Sequence, residues 1–276
     1  MIALITGASS GIGEVTAQRI AREPGAQLVL VARRADRLEA LAAQLGTEVL
    51  VLAEDLTDPE AGQRIDAAVR QRFGRLDLLV NNAGAGWRGA FADVGTANLR
   101  RTVELNLFAQ AQLTEALLPL LRESAPSAIV NVASTAGRVA RPSSGGYSAS
   151  KFALIGWSDA LHLEEKPNGV HVGIVNPGFV VTEGFPQTEL VENRSTRWMV
   201  STADKVAEAI MEVAGGKAER YVPRGYALAA GARILLPGLT RRVLGGQAGA
   251  AMKTSVTADD DTPSTHSNPD RSTPTR

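Results

Sequence analysis

Ile2-Ala3-Leu4-Ile5-Thr6-Gly7-Ala8-Ser9-Ser10-Gly11-Ile12-Gly13 decides the fold. Four apolar residues and a threonine make a short run without polar alternation, as in a strand buried on both faces of a parallel sheet. The three glycines that follow permit a tight turn and a close approach to the backbone. The helix they open offers its first N–H groups and a partial positive charge to an anion. A strand, a glycine-rich turn and a helix in this order are suited to cradle a dinucleotide pyrophosphate, with Gly7, Ser9, Ser10, Gly11, Ile12 and Gly13 as candidate contacts. The first gap is three residues, unlike the more general Gly-x-Gly-x-x-Gly spacing.

Further along, Gln27–Ala32, Glu48–Ala53, Leu76–Val80, Ala128–Ala133 and Val170–Val175 repeat the apolar run. Helix-like stretches lie between them, such as Asp36–Leu45 and Pro59–Phe73, the second with Asp58 as N-cap and Pro59 at the first helical position. Alternating strand and helix predicts an α/β fold: a Rossmann-type doubly wound parallel sheet of about seven strands with helices on both faces. The catalytic domain is expected over residues 1–225. Residues 226–252 form an apolar, glycine-rich extension interrupted by Pro237, read as a lid or subunit contact in preference to a membrane-facing segment. Residues 253–276 are expected to be a disordered polar tail.

The 276 residues suffice for one well-buried domain. Lys plus Arg and Asp plus Glu number 29 each, so no global field recruits nucleic acid or an anionic membrane. With no cysteine, disulfides, thiolate catalysis and Cys-ligated metal are excluded. His162, His171 and His266 lack metal-ligand spacing, and no metal is expected. No signal peptide or membrane span is read, and a cytoplasmic location is expected.

The end of the second strand meets the adenosine ribose in this architecture. It reads Val31-Ala32-Arg33-Arg34, and a guanidinium suits a 2′-phosphate where an acid would suit a free 2′-hydroxyl. NADP(H) is therefore favoured over NAD(H), with Arg33 the first candidate ligand and Arg34 the second. Asp55 and Leu56 after the third strand are candidates for the adenine edge, with a turn role as the alternative for Asp55.

Tyr147 and Lys151 are four residues apart in a helical segment, Tyr147–Leu163, and so share one face. Ser134 follows the strand Ala128–Ala133, at the carboxyl edge where ligands bind. Hydride addition to a carbonyl leaves an alkoxide that needs a proton. A tyrosine can give it, and a lysine cation with a positive nicotinamide lowers its pKa from about 10 by roughly one to three units. Ser134 can orient the substrate oxygen.

Taken together, Thr6–Gly13, Asn81-Asn82-Ala83-Gly84, Asn106, Ser134, Tyr147, Lys151, Asn176-Pro177-Gly178 and Thr182 resemble the short-chain dehydrogenase/reductase family, from Ile2 to about Val222. The resemblance implies catalysis by Asn106, Ser134, Tyr147 and Lys151, with Asn106 holding a water in a proton relay. It implies cofactor contacts from Asn82, Ala83 and Gly84, from Pro177, Gly178 and Thr182 at the nicotinamide end, and from Tyr147 and Lys151, the latter on the ribose. It also implies a small carbonyl or alcohol substrate, bound by Ser134, Tyr147 and Trp87 under a loop, Glu183–Val200, whose Phe185, Trp198 and Met199 suggest an apolar cover. A homodimer or homotetramer is expected on the same ground. The alternative from another class is a dinucleotide-binding regulatory or scaffold protein without turnover. A surviving Ser134, Tyr147, Lys151 and Asn106 argues against it.

Overall fold

The computed structural model describes residues 1–182 and 199–245. Its centre is a seven-stranded, all-parallel sheet in the order β3-β2-β1-β4-β5-β6-β9. The strands are β1 (Ile2–Thr6), β2 (Gln27–Ala32), β3 (Val49–Ala53), β4 (Leu78–Asn81), β5 (Ser127–Val132), β6 (Val170–Pro177) and β9 (Glu219–Val222). Two three-residue strands, β7 (Phe179–Val181) and β8 (Val200–Thr202), pair separately beyond β6. Helices α1 (Gly11–Ile20), α2 (Ala35–Ala42), α3 (Ala61–Phe73), α4 (Phe91–Val103), α5 (Ala109–Glu123), α6 (Gly145–Glu165) and α7 (Ala203–Ala214) connect the strands. Two more, α8 (Tyr226–Leu235) and α9 (Pro237–Gly245), follow β9.

The strands show no polar alternation because both faces are covered. Ala3, Ile5, Leu28, Leu30, Leu78 and Val80 pack with Ala17, Ile20, Leu38, Val206 and Ile210 on one side. Ile2, Leu4, Val29, Val31 and Leu79 pack with Ile65, Val69, Leu113, Leu117 and Leu161 on the other. Successive strand residues thus feed opposite cores, which is the two-residue period of a strand at work. The strand order reverses between β1 and β4, and the crevice outside the carboxyl ends there is where ligands bind in such sheets.

The expected helix start at Pro59 is two residues early. Asp58 Oδ1 accepts from the Glu60 N–H at 3.0 Å and holds a turn before α3 begins at Ala61. Pro237 does not merely interrupt the C-terminal extension. It is the first residue of α9, where a missing N–H costs nothing. The expected tail at 253–276 and most of the loop Glu183–Val200, with Phe185 and Trp198, lie outside the described residues.

Candidate active site

The glycine turn is as tight as its sequence demands. Gly7 and Gly11 have φ of +66° and +59°. A Cβ on Gly13 would lie 2.3 Å from the Gly7 carbonyl oxygen, and one on Gly7 would lie 2.9 Å from Asn82 Nδ2. Gly11 faces Thr182, whose Cγ2 is 3.3 Å from the position of a Cβ there. Ser10 precedes α1 without a side-chain cap, and its hydroxyl instead accepts from Arg34 Nη2 at 3.0 Å. The same nitrogen reaches Ser9 Oγ at 3.0 Å; both Arg33 and Arg34 are exposed. Of the two arginines, Arg34 therefore lies on the turn. This glycine cradle at a helix N-terminus fits the pyrophosphate end of a dinucleotide, and Arg34 lies beside it after β2, on the side of the adenosine ribose.

Thr6 ties this turn to the next loop. Its Oγ1 accepts from the N–H groups of Asn82 and Ala83, both at 2.9 Å, and Asn82 Nδ2 donates to the Thr6 carbonyl at 2.8 Å. Beneath, Asn81 Nδ2 donates to Asn131 Oδ1 at 2.9 Å, and Asn131 Nδ2 donates to Ser158 Oγ at 2.8 Å. Buried amides bonded in this way pin β4, β5 and α6 in one register. Asp55 does hold a turn: its Oδ1 accepts from the Thr57 N–H and hydroxyl at 3.0 and 2.8 Å. Leu56 is buried in the core.

Asn106 lies in a π-helical turn, Glu104–Phe108, between α4 and α5. Such wide turns push a residue out of the regular helical register and recur at functional sites. Asn106 Oδ1 accepts from the Ala85 N–H at 2.9 Å, and Nδ2 donates to the Ala85 carbonyl at 2.9 Å and Ser150 Oγ at 3.1 Å. A Cβ on Gly84 would sit 2.8 Å from Asn106 Oδ1 and 3.6 Å from Lys151 Nζ, so Gly84 lets these two groups converge.

Lys151 is buried on α6, and Nζ donates to the Val132 carbonyl at 2.8 Å and lies 5.9 Å from the Tyr147 ring centre. Burial lowers its ordinary value to about 8. Ser134 Oγ accepts from the Ala136 N–H at 3.1 Å, donates to the Pro177 carbonyl at 3.3 Å and is hydrogen-bonded to the Tyr147 hydroxyl. Burial raises Tyr147 above its ordinary value, outweighing the opposing pull of Ser134, Arg141 and Arg88. The phenol is therefore protonated at neutral pH. The sequence expectation of a lowered value rested on Lys151 and a nicotinamide cation. In the protein alone, desolvation dominates, and Lys151 is turned to a strand carbonyl.

Ser134, Tyr147, Lys151, Asn106 and Gly84 thus meet at the carboxyl ends of β4 and β5. Gly86 borders the Tyr147 ring, with its Cβ position 3.3 Å from Cδ2. One residue on, the carbonyl of half-buried Trp87 accepts from Asn98 Nδ2 at 3.3 Å, and Arg101 covers the ring at 4.5 Å. At the far side, Tyr226 wedges against Gly178, where a Cβ would lie 2.4 Å from Cε2, and its hydroxyl donates to the Met199 carbonyl at 3.2 Å. Sequence reasoning missed Arg88, Arg141, Phe179 and Tyr226 at this site. A basic residue inside the short interval between Ser134 and Tyr147 was the available signal for Arg141.

Comparison with known proteins identifies the family. The short chain dehydrogenase family model matches residues 1–192. Dehydrogenase/reductase SDR family member 7B of Mus musculus is 30% identical over 265 residues, covering 90% of this chain and 81% of that protein. Dehydrogenase/reductase SDR family member 7 of Homo sapiens is 38% identical over 201 residues, covering 70% of this chain and 57% of that protein. Among solved structures, L-sorbose reductase from Gluconobacter frateurii, complexed with NADPH and L-sorbose, has a TM-score of 0.71 at 29% identity, covering 80% of this chain and 93% of that one. A short-chain dehydrogenase from Streptomyces avermitilis has a TM-score of 0.72 at 31% identity, covering 88% and 97%. The chain belongs to the short chain dehydrogenase family, and its general function is that of a dehydrogenase/reductase.

Proposed function

We propose that the protein interconverts a carbonyl and an alcohol with NADP(H), using Tyr147 as general acid and base. The observation that carries this reading is the meeting of Ser134, Tyr147, Lys151 and Asn106 at one sheet edge, beside a glycine cradle. Residues Gly7 to Gly13, Asn82 to Gly84, Pro177, Gly178 and Thr182 would hold the dinucleotide, which supplies or accepts the hydride when bound.

In the reducing direction, Ser134 and Tyr147 hydrogen-bond the substrate oxygen and fix its position. Tyr147 is protonated at neutral pH and gives its proton to that oxygen as charge develops. Lys151, buried beside it, stabilises the phenolate that remains. Asn106 positions the Ala85 backbone and, through Ser150, the start of α6. The relay role of Asn106 through a bound water belongs to this proposal.

Two arginines after β2 support a 2′-phosphorylated cofactor, and the relative that binds NADPH and L-sorbose supports the same choice. Replacing both Arg33 and Arg34 by Ala is expected to weaken NADPH binding by about 10- to 100-fold, the worth of a charge-assisted hydrogen bond. NADH binding should stay within about two-fold. Fluorescence titration with each nucleotide checks this, and equal losses for both would remove the 2′-phosphate assignment. The reading as a whole is tested by following NADPH absorbance with a panel of aldehydes, ketones and quinones. Exposed Phe108, Phe152 and Leu163 support a homo-oligomer, and the cysteine-free composition, which fits a reducing compartment, supports a cytoplasmic location.

A further inference from the structure

We propose that the substrate of this site carries an anionic group, a carboxylate on an apolar skeleton, held by Arg141; this rests on the reductase reading above. Arg141 lies on the loop joining Ser134 to α6, and its guanidinium carbon is 4.5 Å from the centre of the Phe179 ring. Phe179 directly follows Pro177-Gly178, and Tyr226 packs on Gly178. Arg141 acts electrostatically on the hydroxyls of both Tyr147 and Tyr226, and Arg88 approaches from the loop after β4.

Two cations therefore act on the proton donor, Arg88 from an exposed position, and among the described residues neither has a carboxylate partner. The neighbouring arginines do. Arg138, three residues earlier, pairs with Glu219 at 3.1 Å, and Arg220 pairs with Glu212 at 2.6 Å. A desolvated guanidinium without a counter-ion is costly, and burial duly lowers Arg141 below its ordinary value. A bound carboxylate offsets that cost with a planar, two-pronged hydrogen bond. The cofactor's 2′-phosphate is not the natural partner. Its candidate ligands follow β2, whereas Phe179 follows β6, with β1, β4 and β5 between them. The Phe179 ring lies against the Arg141 guanidinium and Tyr226 packs on Gly178 beside it, so the anion would carry an apolar body. An oxo acid and its hydroxy acid fit this description. The carbonyl carbon gains the hydride and its oxygen gains the Tyr147 proton, while the carboxylate remains unchanged on Arg141.

The test uses the full chain loaded with NADP⁺ and two probes of equal shape, hexanoate and hexanamide, followed by tryptophan fluorescence. Hexanoate is expected to bind at least ten-fold tighter than hexanamide, and Arg141→Gln to erase that ratio. Arg141→Lys should restore part of it. Equal binding of the two probes, no binding of either, or a preference that survives Arg141→Gln would overturn the proposal. So would a ten-fold loss of NADP⁺ affinity in Arg141→Gln, which would assign the arginine to the cofactor. Failure of the wild-type chain to bind nucleotide at all would instead defeat the reductase reading.

A different observation carries a second proposal: the C-terminal helices point to docking on an anionic lipid surface. In α8, α9 and the residue that joins them, Leu228, Ile234, Leu235, Leu236, Leu239 and Val243 are all exposed, and Ala230 is the buried residue of α8. Single exposed leucines are ordinary, but six large apolar side chains exposed within sixteen residues ask for a cover. Arg224, Arg233, Arg241 and Arg242 are interspersed, and no acid occurs between Glu219 and Asp259. A second copy on this face would set arginine against arginine, whereas anionic head groups neutralise them. Helices of ten and nine residues cannot cross a bilayer and would lie in its surface.

Co-sedimentation of the full chain with vesicles of phosphatidylglycerol and phosphatidylcholine, against phosphatidylcholine alone, tests this. Pelleting is expected to be several-fold greater on the anionic vesicles and to be lost in Leu235→Glu/Leu239→Glu, whose side chains are exposed and whose folding circular dichroism verifies. Equal pelleting on both vesicle types, or none, overturns the proposal. A wild-type dimer that the same double variant converts to monomer on gel filtration assigns the patch to a second copy instead.

Discussion

Tyr147→Phe is expected to lower turnover by about 10²- to 10⁴-fold, the range that a positioned general acid contributes. The phenyl ring keeps its packing against Gly86, and the phenol oxygen alone is lost. Affinity for NADPH should therefore change little, and the thermal midpoint should stay near that of the wild type. What disappears is the proton donor that burial keeps neutral at physiological pH, together with the hydrogen bond that joins it to Ser134. Ser134 can still orient the substrate oxygen, but its unaided hydroxyl is a poor acid. Steady-state rates at saturating NADPH, with nucleotide titration and melting of the same preparation, separate these effects. A variant that keeps a tenth or more of wild-type turnover would remove Tyr147 from the chemistry.

Gly13→Ala is the substitution expected to damage the cofactor site most. The new methyl would lie 2.3 Å from the Gly7 carbonyl oxygen and 2.7 Å from Asn82 Nδ2. The first neighbour is backbone, and the second is fixed by its bond to Thr6. Neither can swing aside as a flexible side chain would. The turn must open, at a cost of about 1–3 kcal/mol for overpacking. For a domain of this size the thermal midpoint should fall by roughly 2–12 °C. Nucleotide affinity should fall at least ten-fold, because α1 then presents its first N–H groups elsewhere. Gly156→Ala is the matched control: this exposed helical glycine of α6 has nothing within 4 Å of its Cβ position, and alanine there should leave binding unchanged and stability equal or slightly higher. Equal behaviour of the two variants would show that the turn is not strained as described.

The strands were legible because both faces of the sheet are buried, so apolar residues dominate β1, β2 and β5 without polar alternation. The site motifs were legible because they sit at strand ends, where glycine, serine and asparagine break the apolar pattern abruptly. The start of α3 was not, since Asp58-Pro59 makes an equally good turn and an equally good helix cap, and only the Glu60 N–H decides between them. The three-residue strands β7 and β8 carry too few residues to show a period. The π-turn around Asn106 is invisible to periodicity, because one extra residue per turn does not alter which residues are apolar. That Arg141 has no carboxylate partner among the described residues could not be read at all: it depends on which acids the fold brings near, and it brings Glu219 to Arg138 instead.

Fluorescence titration of the wild-type chain with NADPH and with NADH tests the central claim most directly. The account predicts saturable binding of one NADPH per chain, clearly tighter than NADH. Failure to bind either nucleotide would contradict the assignment of the glycine turn as a dinucleotide cradle and of Tyr147 as its catalytic partner.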